Sequence, residues 1–175
     1  PILYERPGTP VLTRRPAAER LRLPRKSHEF RAFDVGVSSI ATIEGSRLIS
    51  NSDLLPADSG MTPSDVVRLT GIESRRWVDK HESAVDMAVR ASWELLDREN
   101  LTPDDLDLVI CSTTSPTSVT PSMACQVLSG LTRGRTDTML QAYDINAACS
   151  GYLYALQAGY DFLQSTPTGR VLLVT

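Results

Sequence analysis

Histidine is almost absent from this chain of 175 residues: His28 and His81 are the only two. Cysteine is scarce too, with Cys111, Cys125 and Cys149 the whole complement. Three is an odd number, and the spacing fits neither a disulfide framework nor a zinc motif, so free thiols in a reducing compartment are expected. No stretch approaches the roughly eighteen consecutive apolar residues that a membrane-spanning helix needs. The amino-terminal residues also lack the apolar segment of a signal peptide. The chain therefore reads as cytosolic, without a membrane partner. Internal repeats and low-complexity tracts are missing, and no motif asks for a cofactor or a metal ion.

What is present fits a globular domain, with 41% apolar and 22% charged residues. The net charge of −3 is unevenly spread. Residues 1–28 hold seven Arg or Lys against Glu5 and Glu19, or +5, which leaves −8 on the rest. An acidic body argues against a nucleic-acid surface. Residues 1–29, rich in Pro and Arg and without periodicity, read as a basic arm or linker; residues 30–175 read as the folded domain.

From residue 30 onward the pattern alternates between strand and helix. The β-branched run at 33–43 predicts a strand. Residues 83–100 set Val85, Ala88, Val89, Ser92 and Leu96 on one helical face behind a candidate cap, Ser83. Thr102 and Pro103 open a turn that leads to a strand over 106–112. A helix is expected from Pro121 to Gly130, a strand over 139–145, a helix over 150–165 and a last strand in "RVLLVT". The order is βαβαβαβ, an α/β fold with short apolar strands of the kind buried between two helical layers, hence a mostly parallel sheet. A chain that stops on so apolar a strand reads as part of a larger protein.

Within "YDINAACSGYLYAL" (143–156), Cys149 falls between the strand ending at Ile145 and the helix starting near Ser150, on a turn of Asn146, Ala147 and Ala148. That context matches a nucleophile elbow, which holds a reactive side chain at the top of a sheet and the amino end of a helix. Helical N–H groups there stabilise a thiolate and can bind an oxyanion, and the small neighbours Ala147, Ala148 and Gly151 leave room for an acyl chain. A cysteine in apolar company is just as readable as a packed core residue. Pattern and spacing leave both readings standing.

Four segments in order carry a more specific signal: "TGIESRRW" (70–77), "LTPDDLDLVICSTTSP" (101–116), "TPSMACQVLSGL" (120–131) and "DINAACSGYLYAL" (144–156). Over about residues 30–175 the chain resembles the ketoacyl-acyl-carrier-protein synthase III group of the thiolase superfamily. The resemblance implies the nucleophile-bearing amino-terminal half of a thiolase-like fold, which pairs with a second, similar half. It makes Cys149 the acylated nucleophile, with its own N–H in the oxyanion hole, and makes Cys111 and Cys125 structural core residues. Neither His28 nor His81 matches the family's catalytic histidine. That histidine and its companion asparagine belong to the second half, which another segment or chain is expected to supply.

Departures from the family pattern bear on the substrate. Where relatives primed by acyl-coenzyme A carry a Trp and an Arg before Thr-Gly-Ile, this chain has Asp65 and Leu69, with Arg68 displaced by one residue. Arg68 and Thr70 remain candidate substrate-binding residues, and a donor carried on acyl carrier protein gains plausibility over coenzyme A. Thr120 stands where relatives often place a Phe that reaches across the dimer to close the acyl pocket, so a more polar or wider pocket is expected and Thr120 is a third, weaker candidate. The implied reaction is acyl transfer from a thioester to Cys149 and then to a malonyl-derived carbanion, in fatty-acid or polyketide-type biosynthesis. Alternatives are transfer to an alcohol or amine, and a non-catalytic scaffold subunit. The resemblance also implies a homodimer that buries the Pro-Ser loop and the edge strand following the nucleophile helix.

Overall fold

The structure, a computed structural model, describes residues 35–166 and 168–175. The basic arm, with His28, lies outside the described residues, as do the first two positions of the strand expected over 33–43. The elements are β1 (Arg47–Ser50), α1 (Asn51–Leu54), α2 (Pro63–Thr70), β2 (Ser74–Trp77), α3 (Ala84–Glu99), β3 (Leu108–Ser112), α4 (Met123–Thr132), β4 (Gln141–Ile145), α5 (Gly151–Ser165) and β5 (Val171–Val174). Short 3-10 turns at Pro103–Asp105 and Ala148–Ser150 precede β3 and α5.

Three parallel strands form the main sheet, in the order β4-β3-β5. β3 has a strand on each side and helices on both faces, which is why it reads as an unbroken apolar run. Its side chains alternate between layers: Val109 and Cys111 pack with Leu96, Val127 and Leu131 of α3 and α4, whereas Leu108 and Ile110 pack with Ala155 of α5. β5 repeats the alternation, with Leu172 toward the first cluster and Val171 and Leu173 toward the second. The α/β/α layering follows from these two half-cores.

The helices start where short polar residues can cap them. Ser83 caps α3, its hydroxyl accepting from the Asp86 N–H at 3.0 Å while the Asp86 carboxylate takes the Ser83 hydroxyl at 2.6 Å. The same Ser/Thr-x-x-Asp reciprocity recurs at Ser50–Asp53 and Thr62–Asp65. Ala88, Ser92 and Leu96 form the buried stripe of α3, as the 3.6-residue spacing requires. α4 begins at Met123 rather than near Pro121, because Ser122 and a carboxylate from β4 cap it there.

Three expectations need correction. Described residues 35–43 form no strand and pair with none, and Val37 and Ile40 are exposed. β-propensity favours an extended backbone, yet a strand exists only with a neighbour to bond, and a cavity of about 780 Å³ lies between this segment and β5. The sheet is thus built by αβαβαβ rather than βαβαβαβ. An antiparallel hairpin, β1 with β2, was not anticipated; Arg47 pairs with Trp77 and Ser50 with Ser74. Cys125 is exposed rather than packed in the core, because α4 starts over β4, an edge strand, and its thiol reaches only the Ala142 carbonyl at 3.8 Å.

Cys111, by contrast, is fully buried. Burial first, then the negative charge of Asp144 and of Cys125, pushes its thiol from 9.0 up to about 12. The folded thiol keeps its proton where the unfolded one loses it, so its contribution to stability is intact below pH 9 and is lost as pH rises through about 12. Denaturant titrations from about pH 8 to 11 should show stability falling with pH in the parent and less steeply in Cys111→Ala. Parallel slopes would refute the assignment. Leu96 is fully buried under the sheet, so Leu96→Ala should lower the unfolding free energy by about 2–5 kcal/mol, measured by the same titration.

Candidate functional site

β3 fixes β4 in register, Cys111 beside Asp144 and Ser112 beside Ile145. The chain then leaves the sheet at Ile145 and must reverse into α5. The turn is tight: the Ser150 N–H donates to the Ala147 carbonyl at 3.1 Å, and the Ala148 N–H to the Asn146 side chain at 3.4 Å. Ala148, just before the cysteine, has φ of +46°. This left-handed conformation costs an L-residue about 1–2 kcal/mol, and such strain persists only where flanking structure holds it. Here a strand pins one side of the turn and a fifteen-residue helix the other. Cys149 follows, exposed, in the 3-10 turn that opens α5. The elbow expected from the sequence is therefore formed, and the reading of Cys149 as a packed core residue fails on its exposure.

Close approach to β3 supports the elbow from below. A Cβ on Gly151 would come within 2.3 Å of the Ser112 hydroxyl oxygen, so a larger residue there would oblige Ser112 to rotate away as the first turn of α5 sits on the end of β3. Gly151 therefore serves close packing beneath the elbow, a role that sequence reasoning did not give it.

The loop over 113–122 is brought to the same end of β4. The Thr113 N–H donates to the Ile145 carbonyl at 3.2 Å, and the Asp144 carboxylate accepts from the N–H groups of Met123 and Ala124, both at 2.7 Å. Thr120 lies in this loop, exposed, with a cis bond to Pro121. Thr120 and Cys149 thus stand on segments tied to two adjacent residues of β4.

Arg68 and Thr70 stand elsewhere, on α2, which packs with α1 beside the β1–β2 hairpin. The Thr70 hydroxyl donates to the Val66 carbonyl at 2.7 Å and accepts from the Ile72 N–H at 3.1 Å, closing the helix end. Gly71, at φ +73°, makes the left-handed cap, which explains the Thr-Gly-Ile pattern. Arg68 donates to Asp65 at 3.0 Å and is mostly exposed. The Thr62 hydroxyl and N–H, and then Arg68, hold the Asp65 carboxyl below its ordinary range. Asp144 and Ser112 are the site residues that sequence reasoning missed. The signal for Asp144 was a carboxylate at the end of an otherwise apolar strand, which needs partners. The 780 Å³ cavity does not include Cys149 in its lining, although it reaches Ser112, Thr113 and Tyr152 nearby. No described helix is long and apolar enough to cross a membrane.

The chain is similar to known proteins in both sequence and fold. Residues 143–175 match the family described as 3-oxoacyl-[acyl-carrier-protein] synthase III. The β-ketoacyl-[acyl-carrier-protein] synthase III of Campylobacter jejuni strain RM1221 is 35% identical over 140 residues, covering 79% of this chain and 42% of that protein. The Clostridium perfringens enzyme of the same name is 40% identical over 105 residues, or 60% of this chain and 31% of its own length. Among solved structures, the 3-oxoacyl-[acyl-carrier-protein] synthase III of Aquifex aeolicus VF5 superposes with a TM-score of 0.65 at 32% identity, covering 76% of this chain and 41% of that one. The priming β-ketosynthase of the R1128 polyketide pathway gives 0.66 at 26% identity, covering 77% and 39%. The chain spans about two-fifths of the length of the Campylobacter and Aquifex proteins. Sequence and fold agree over one stretch: this chain is a 3-oxoacyl-[acyl-carrier-protein] synthase III-like part of a thiolase-type fold.

Proposed function

We propose that the full-length protein is a condensing acyltransferase and that Cys149 carries its acyl group. The observation that carries this reading is the exposed thiol on a strained turn between a buried parallel strand and the start of a helix. The Cys149 thiolate attacks the carbonyl of an acyl thioester; the new C–S bond forms as the donor's bond breaks, and the donor thiol leaves with a proton. In this reading the backbone N–H of Cys149 shares the oxyanion's charge, as the family resemblance implies. In the second step a malonyl thioester loses CO₂, its carbanion attacks the acyl carbonyl, and Cys149 leaves as thiolate, giving a β-ketoacyl product. The histidine and asparagine that stabilise the enolate are assigned to the remainder of the protein, since neither His28 nor His81 matches the family's catalytic histidine.

Relatives named for fatty-acid-type synthase III and for a polyketide priming step support either pathway class. A donor on acyl carrier protein is favoured over coenzyme A. Asp65 and Leu69 offer neither a stacking ring nor a cation, and Arg68 is spent on Asp65. The expected dimer is assigned to β4 together with the Pro-Ser loop, because β5 and that loop lie at opposite edges of the sheet. Val119, Met139 and Tyr143 are exposed along that side, and an open apolar strand edge invites pairing with a second copy.

In the full-length protein, Cys149→Ala should abolish covalent acylation by an acyl thioester, followed by intact mass, and lower condensation at least about a thousandfold. An alanine variant that still accumulates acyl-enzyme sinks the proposal. Tyr143→Lys should shift the sedimenting species from dimer toward monomer, as a charge on an edge strand opposes pairing. A dimer insensitive to that change rules out this edge.

A further inference from the structure

We infer that Asp144 is a positioning residue that locks the 113–122 loop to the cysteine elbow, so that the acyl donor meets Cys149 in register. The inference rests on the acyl-cysteine reading above. Its starting point is the hydrogen-bond accounting at the amino end of α4. The first four N–H groups of a helix lack helical partners. The Ser122 hydroxyl takes one of them, the Cys125 N–H at 3.2 Å, while the Ser122 carbonyl accepts the first helical bond, from the Gln126 N–H at 3.1 Å. Met123 and Ala124, two more of the four, donate to separate oxygens of Asp144 at 2.7 Å each.

A helix cap is usually local, and this one is not: Asp144 is twenty residues away in sequence, in the strand that ends at the elbow. The loop's other end is held by the next residue, through Thr113 N–H and the Ile145 carbonyl. Within the loop, Gln126 Nε2 donates to the Ser118 hydroxyl and the Pro121 carbonyl, both at 3.1 Å. Both anchors therefore lie on the two residues that immediately precede the Asn146–Cys149 turn. A displacement of β4's end moves loop and thiol together, and their relative position stays constant. Two charge-assisted bonds at the positive end of a helix make a stiff link.

Asparagine is the informative substitution, since it keeps the shape but presents an NH₂ to one of the two N–H donors and so breaks one bond. In the full-length protein, Asp144→Asn should leave alkylation of Cys149 by iodoacetamide within about twofold of the parent, because so small a reagent needs only an exposed thiol. Acylation of Cys149 by a carrier-borne acyl thioester should fall at least about tenfold, chiefly as a raised KM. Amide hydrogen exchange over 114–121 should quicken at the same time. Leu106→Ala, in the core at the opposite end of β3, serves as the destabilised control and should keep parental acylation well below its melting temperature.

If Asp144→Asn acylates like the parent, or loses alkylation, acylation and stability in parallel with the control, Asp144 is only a helix cap and the inference is overturned. A parent that iodoacetamide labels but no acyl thioester acylates overturns the acyl-cysteine reading, and this inference with it. Parental acylation beside an indifferent Asp144→Asn overturns this inference alone.

Discussion

The burial of β3 on both faces and both edges is the constraint on which the rest of this structure depends. Leu108, Val109, Ile110 and Cys111 are all fully buried. A strand in that position has no freedom of register, since a slip of one residue would exchange the α3/α4 core for the α5 core. β4 and β5 inherit their register from it. The ends of three strands are then fixed in one plane, and the elbow is built where β4 leaves that plane. Cys149 owes its position to apolar packing several residues upstream of it.

The elbow adds a local cost to this global order. Ala148 at positive φ is unfavourable by itself, yet reversing a strand into a helix within four residues demands a sharp bend somewhere. The bend persists because moving it would have to break β4's ladder or lift α5 from Ser112. Gly151 lets that helix seat with the Ser112 hydroxyl in its present position. Strain and close packing are two halves of one arrangement: packing holds the strained residue, and the strained residue presents the thiol to solvent.

Elements governed by short-range rules were legible in the sequence. Ser83 with Asp86, the stripe of Ala88, Ser92 and Leu96, and the Ile145–Gly151 elbow depend on neighbours within a few residues. What depended on partners distant in the chain was not. The run at 35–43 has strand composition but no strand beside it. The β1–β2 hairpin closes across more than twenty residues with no tight-turn signal, held by Asn51, whose amide donates to the Ile72 carbonyl at 2.8 Å and accepts from Arg75 at 2.7 Å. Cys125 was expected in the core because its helix motif matches a family position that packs there, but its place over an edge strand leaves it exposed. Asp144 could be seen as an ionisable residue in an apolar strand, whereas its partners, twenty residues upstream, could not.

The same division bears on how such a site can change its substrate. The 113–122 loop is held through backbone groups and the side chains of Thr113, Ser118, Ser122, Gln126 and Asp144. Thr120 takes no part in that network and its side chain is exposed. A substitution at Thr120, a candidate pocket residue under the proposed function, is therefore expected to leave the loop's hydrogen bonds and the cysteine turn in place. The turn differs in kind, because its backbone is held between the β4 ladder and the seat of α5 on β3 and cannot shift without disturbing one of them.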